Sequence, residues 1–296
     1  MGNRNFRELL EARWADNRFV CVGLDSDYLK IPESIRGQCV GNECSSLYTF
    51  NCVIVDATRD LVGTYKPNIA FYAAHGDRGL VALRATINHI HTVAPEIPVI
   101  IDIKRGDTDN TNLGYVLEAF DYLDADAVTV HPYLGGEALQ PFLDRADKGV
   151  FVLCRTSNRG AGEFQDLRIE TGPVLVDNEP RYRPLYQVVA LHVARKWNKN
   201  GNCGLVVGAT YPNELREVRA LVGDMPILIP GIGVQGGDVK ATVNAGLDSR
   251  GAGMIINSSR GIIFASNGAD FAEAARLATL ELHTLIDLHR KEALDQ

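Results

Sequence analysis

No run of apolar residues in the chain approaches the ~18 that a bilayer-spanning helix needs, so no membrane span is expected. Basic residues are outnumbered, 30 Lys and Arg against 37 Asp and Glu, for a formal charge of −7. No basic stripe offers a footprint for nucleic acid, and an anionic ligand would have to be held by a few local cations rather than by the overall field. The six cysteines (Cys21, Cys39, Cys44, Cys52, Cys154, Cys203) form no C-x-x-C, and the histidines follow no metal-ligand spacing. His89 and His91, two apart on a predicted helix, do not share a face. Reduced thiols, a cytoplasmic setting and no metal site follow as expectations. The first 17 residues contain no apolar signal segment, and Met1-Gly2 is not followed by the Ser or Thr of a myristoylation signal. Neither an internal repeat nor a low-complexity stretch is visible.

What the chain does have is alternation. Phe6, Leu9, Leu10, Arg13 and Trp14 fall at helical spacing and predict an amphipathic helix over 4–16. Phe19 to Leu24 is an apolar strand ending on Asp25, and 26–44, with Pro32, Gly37 and Gly41, reads as an irregular insertion. Further strands are expected at 63–68, from Val99 onward, and at 125–131, 149–154, 204–208, 226–230 and 253–256. Helical periodicity separates them, at 45–62, 77–94, 110–123, 136–146, 182–199, 213–222, 237–245 and 268–291. Residues 156–180 are aperiodic. Unbroken β/α alternation implies parallel strands with right-handed crossovers. Eight such units fit an α/β protein of the (β/α)8 barrel class, a single domain over 1–296 with an N-terminal helix and insertions in the βα loops. A doubly wound sheet would want a G-x-G-x-x-G turn after the first strand, where Leu24-Asp25-Ser26 stands instead.

A barrel of this kind works at the C-terminal ends of its strands. Those ends carry Asp25, Lys66, Asp102 with Lys104, His131, Arg155-Thr156-Ser157, Thr210, Gly231-Ile232-Gly233 and Asn257-Ser258-Ser259-Arg260. Asp102 and Lys104, two apart on a strand, share a face, and Asp107 follows past the Arg105-Gly106 turn. An isolated D-x-K can be a solvated ion pair worth little. Four charges in six residues directly after the apolar Val99-Ile100-Ile101 run instead suggest a field that does chemistry. The glycines from Pro230 to Asp238 and the guanidinium of Arg260 together predict a phosphate cradle after the seventh and eighth strands. His131, alone before a proline, reads as a hydrogen-bonded structural residue.

Taken together these residues resemble the orotidine 5′-phosphate decarboxylase family. Its D-x-K-x-x-D hallmark, with a Thr four residues on, stands here as Asp102-Ile103-Lys104-Arg105-Gly106-Asp107 and Thr111. The resemblance continues through Gly23-Leu24-Asp25, Lys66-Pro67, Arg155 to Gly160, Pro230 to Asp238 and Ser258 to Ile262, in the manner of the larger bacterial-type branch. One departure is Thr108-Asp109-Asn110, which changes the start of the following helix. The resemblance implies decarboxylation of orotidine 5′-phosphate to uridine 5′-phosphate in pyrimidine biosynthesis, with no metal or organic cofactor. It casts Lys104 as the cation beside C6 and its proton donor, flanked by Asp102 and Asp107, with Lys66 neutralising the array and fixing its geometry. It assigns the ribose to Asp25, the pyrimidine edge to Ser157 (with Thr156 as the alternative), and the phosphate to Gln235 and Arg260. It further implies a homodimer in which Asp107 and Thr111 are lent to the neighbouring site. The aperiodic 156–180 segment and the 231–237 turn are the candidate lids. The alternatives are a magnesium-dependent sugar-phosphate decarboxylase or aldolase on the same barrel, and a barrel that only binds a nucleotide phosphate.

Overall fold

Val, Ile and Leu fill the strands so completely that both faces must be covered, the pattern of a parallel sheet wrapped by helices. The computed structural model describes residues 4–171, 182–233 and 237–295. Among them, eight parallel strands form one sheet: β1 (Val20–Leu24), β2 (Thr64–Pro67), β3 (Ile100–Arg105), β4 (Ala127–Val130), β5 (Gly149–Arg155), β8 (Cys203–Val207), β9 (Ile227–Pro230) and β10 (Met254–Ser258). Their order is β2-β1-β10-β9-β8-β5-β4-β3, and parallel bridges from Tyr65 to Val99 and from Asn68 to Asp102 join the first to the last. The expected barrel is therefore present. Among the described residues no helix is long and apolar enough to cross a membrane.

The helix Phe6–Ala15 closes the N-terminal mouth. Phe6 meets Phe151 edge-on at 5.6 Å, in space that a side chain on Gly149 would occupy. Trp14 Nε1 donates to the Met254 carbonyl at 2.9 Å. Arg4 grips the buried Asp126 through two bonds of 2.8 and 2.9 Å, and the same carboxylate accepts the Val99 N–H. Burial alone would raise that carboxyl, but His91 and Arg4 outweigh it and hold it at about 2. This end of the molecule is thus a structural plug, which leaves the opposite mouth for function.

Two expectations need correction. The aperiodic stretch holds a short antiparallel ribbon, β6 (Arg168–Glu170) with β7 (Tyr182–Pro184), and the helix expected from 182 starts at Leu185. Pro184 explains both facts: the residue before a proline is pushed toward extended backbone, and Pro184 caps the helix at φ −56°, ψ 146°. The 26–44 insertion is a chain of short turns, Tyr28–Lys30, Glu33–Arg36 and Gly37–Cys39.

Candidate active site

Each strand delivers its last side chains into one cavity of about 460 Å³ at the C-terminal mouth, lined among others by Asp25, Lys66, Asp102, Lys104, Ser157 and Arg260. Its centre is a charge array. Lys66 Nζ lies 3.5 Å from Asp25 Oδ1 and 3.5 Å from Asp102 Oδ2. Lys104 Nζ meets the other Asp102 oxygen at 2.6 Å. Desolvating one buried ion costs several kcal/mol, and at ~3.5 Å with an effective dielectric of ~20 one opposite charge returns roughly 5 kcal/mol. A single pair would barely break even, so the alternation of carboxylates and ammoniums is what keeps the group ionised. The titration behaviour agrees. Burial pushes Asp102 up, yet Lys66 and Lys104, with hydrogen bonds from Lys104 and Thr129, bring it down to about 2. Burial pushes Lys66 down, and Asp25 with Asp102 lifts it above the ordinary lysine range.

The expected meeting of Asp102 and Lys104 occurs, but not by simple strand alternation. The β3–β4 register shifts between Ile101 and Arg105, and Lys104 has φ +48°. The chain bulges there, and the lysine reaches back to Asp102 with half of its side chain exposed to the cavity.

The remaining sequence-derived residues divide. Asp25 lines the cavity, its buried Oδ1 facing the Lys66 ammonium at 3.5 Å. Ser157 lies against Gly208, where a Cβ would fall 2.7 Å from the Ser157 backbone. The neighbouring Thr156 hydroxyl is engaged by Asn158 and Gln165, while the described residues offer Ser157 Oγ no partner. The buried Arg155 holds this segment through Asp166 at 2.9 Å and lies 3.8 Å from the Tyr211 ring centroid. Arg260 is exposed at the cavity, with no carboxylate partner among the described residues. Gly231 and Gly233 take φ +108° and +87°, conformations that glycine adopts freely. Gln235, and the parts of the candidate lids at 172–180 and 234–236, lie outside the described residues.

Asp107 and Thr111 are not brought to the cavity of their own chain. Both are exposed, and Asn112 pins the Asp107 turn by accepting its N–H at 3.0 Å and donating to its carbonyl at 2.7 Å. Leu134 lines a surface pocket with Asp107, and Leu113, Leu117 and Tyr133 are also exposed apolar side chains. His131 packs against Gly106, where a Cβ would sit 2.9 Å from its ring.

Sequence reasoning missed Asn68 and Thr129, both of which line the cavity, as does Gln165 of the candidate lid segment. Asn68 stands two residues after Lys66 and bonds Asp102 Oδ2 at 3.5 Å, a same-face spacing that could have flagged it. Thr129 offers no such cue, because threonine is an ordinary strand residue.

Among the described residues no group of three or more His, Cys, Asp or Glu side chains is arranged to hold a metal ion. A family model, that of the orotidine 5′-phosphate decarboxylase / HUMPS family, matches residues 18–275. The chain is 48% identical over 286 residues to the orotidine 5′-phosphate decarboxylase of Cupriavidus necator, covering 96% of this chain and 98% of that one. It is 50% identical over 272 residues to the enzyme of the same name from Ralstonia nicotianae, covering 92% and 94%. Among solved structures it is similar to the OMP decarboxylase of Leishmania donovani, at 38% identity and a TM-score of 0.79, covering 97% of this chain and 98% of that one.

Proposed function

The chain belongs to the orotidine 5′-phosphate decarboxylase / HUMPS family and is a carboxy-lyase that decarboxylates orotidine 5′-phosphate in pyrimidine biosynthesis; from that premise we propose how the cavity performs the reaction. The observation that carries the proposal is the Asp25-Lys66-Asp102-Lys104 array, four charges held at 2.6–3.5 Å in one cavity. The C6–carboxylate bond breaks, carbon dioxide leaves, and the electron pair stays on C6. Lys104 Nζ, anchored by Asp102, stands beside that pair and delivers the proton that yields uridine 5′-phosphate. Charges fixed before the reaction need no reorganisation as the carbanion forms, the circumstance in which electrostatics contributes most to catalysis.

Asp25 binds the ribose, Ser157 the pyrimidine edge, and Arg260 with Gln235 the phosphate. Asp107 and Thr111 serve the neighbouring site of a homodimer, a reading supported by their exposure and by the exposed apolar Leu134 that shares a surface pocket with Asp107. A cytoplasmic location completes the proposal.

The magnesium-dependent alternative wants an acidic metal ligand at the end of the second strand. Here Lys66 stands there, buried and paired with two carboxylates. A barrel that only binds phosphate would have no use for the array. The direct test is the absorbance of orotidine 5′-phosphate on mixing with EDTA-treated protein: it should fall at the untreated rate. Strict dependence on added Mg²⁺ would overturn the reading.

The phosphate assignment has its own test. Arg260→Ala should lower kcat/KM for the nucleotide by roughly 10²-fold, the scale of a lost charge-assisted contact, and matter little for a substrate truncated to lack phosphate. Binding energy far from the reacting bond can be used in the transition state. Equal losses on both substrates would make Arg260 a structural residue.

A further inference from the structure

We infer that Thr129 is a positioning residue for the catalytic pair, its hydroxyl holding both the Lys104 bulge and the Asp102 carboxylate. The observation lies in the β3–β4 ladder. Ile100 pairs with Ala127 and Ile101 with Val128, but the next pair is Arg105 with Val130. Asp102, Ile103 and Lys104 are therefore opposed by Thr129 alone. A bulge of this kind leaves backbone groups outside the ladder. Here the N–H groups of Ile103 and Lys104 both donate to Thr129 Oγ1, each at 3.1 Å.

A hydroxyl has two lone pairs and one proton. With both lone pairs taken by the bulge, the proton has one direction left, and it is donated to Asp102 Oδ1 at 2.7 Å. The same oxygen receives Lys104 Nζ at 2.6 Å. The side chain is almost wholly buried, at 1% exposure, so water does not compete for these bonds. One atom thus sets the backbone of Lys104, which sits at φ +48° where non-glycine residues are uncommon, and the orientation of its carboxylate partner. Strained backbone at a reacting group persists when its surroundings over-determine it, and Thr129 is the contact that does so here.

The inference rests on the proposed roles of Lys104 and Asp102, and its test separates the two. Thr129→Val keeps the shape and removes the hydroxyl, while Thr129→Ser keeps the hydroxyl. The valine variant should lose roughly 10- to 100-fold in kcat, the scale of hydrogen bonds to a charged group, with KM for orotidine 5′-phosphate changed by less than about threefold. The serine variant should return kcat to within about threefold of wild type. A purely structural role would lower thermal stability without this split between kcat and KM and without rescue by serine. If the valine variant does not fold, Thr129→Cys carries the same expectation; loss of the fold in both would make Thr129 structural and overturn the inference. Wild-type kcat in Thr129→Val beside an inactive Lys104→Ala protein would overturn this inference alone. An active Lys104→Ala protein would instead overturn the reading of the site on which it rests.

Discussion

Lys104→Ala is expected to lower kcat/KM for orotidine 5′-phosphate by about 10⁴-fold or more while the protein still folds and binds uridine 5′-phosphate. Removing the lysine takes away a proton donor, a contribution of roughly 10²–10⁴. It also takes away the cation facing the developing charge, a contribution of roughly 10²–10³ where donors are preorganised. The two act as one unit, so their losses do not simply multiply. The fold should survive because Asp102 keeps Lys66 at 3.5 Å, Thr129 at 2.7 Å and Asn68 at 3.5 Å. Acid stability supplies an independent readout. Asp102 is held down at about 2, so it contributes stability above the ordinary carboxylate range that is lost as pH falls toward 2. Without the Lys104 ammonium its carboxyl should titrate closer to the ordinary carboxylate range, so the loss of stability on acidification should begin at the same pH but be smaller and end at a higher pH than in wild type. Steady-state kinetics, product binding and urea unfolding across pH 2–7 measure the three parts. A loss of less than tenfold in kcat/KM would remove Lys104 from the chemistry.

Much of this arrangement is legible in the sequence, and the boundary of legibility has physical causes. Eight apolar strands spaced by amphipathic helices specify a barrel because burial on both faces demands a distinctive composition. Polar residues after Leu24, Ile101 and Ile256 stand out against that composition, so Asp25, Asp102 and Asn257 could be placed at one mouth. The β6–β7 ribbon was hidden because three-residue strands hold too little alternation to register, although Pro184 marked its end. The meeting of Asp102 with Lys104 was anticipated, but the bulge that produces it was not. That bulge depends on the hydroxyl of Thr129, 25 residues further on, and threonine in Ala127-Val128-Thr129-Val130 looks like any strand residue. Asp107 marks a different limit: spacing along one chain does not say whether a second copy completes the site.

Mixing inactive Lys104→Ala protein with inactive Asp107→Ala protein is expected to restore activity to roughly a quarter of wild type. Within its own chain Asp107 is exposed and does not line the cavity of the charge array, although it shares a shallow surface pocket with Lys104. Asn112 fixes the turn there by bonding the Asp107 N–H and carbonyl, and a further bond of 2.6 Å from Asn112 to the Ala138 carbonyl ties that turn to the next βα unit. Arg105 reinforces it through Glu118 at 3.0 Å and lies 4.4 Å from the Tyr115 ring centroid. A turn anchored at these points does not fold back over its own barrel. Leu134 shares a surface pocket with Asp107, and Leu113, Leu117 and Tyr133, close to these residues in the chain, are exposed apolar side chains of the kind that mark an association site. A two-fold dimer across that face would present each Asp107 to the partner's Lys104. In a mixed dimer one site then carries both substitutions and the other carries neither. Random exchange of equal amounts makes about half the dimers mixed, and half of their sites are intact. Activity should rise with the rate of subunit exchange and level off near that quarter. If exchange is verified, for instance by mass spectrometry of differently labelled chains, and no activity returns, Asp107 does not act across the interface and the shared-site arrangement is wrong.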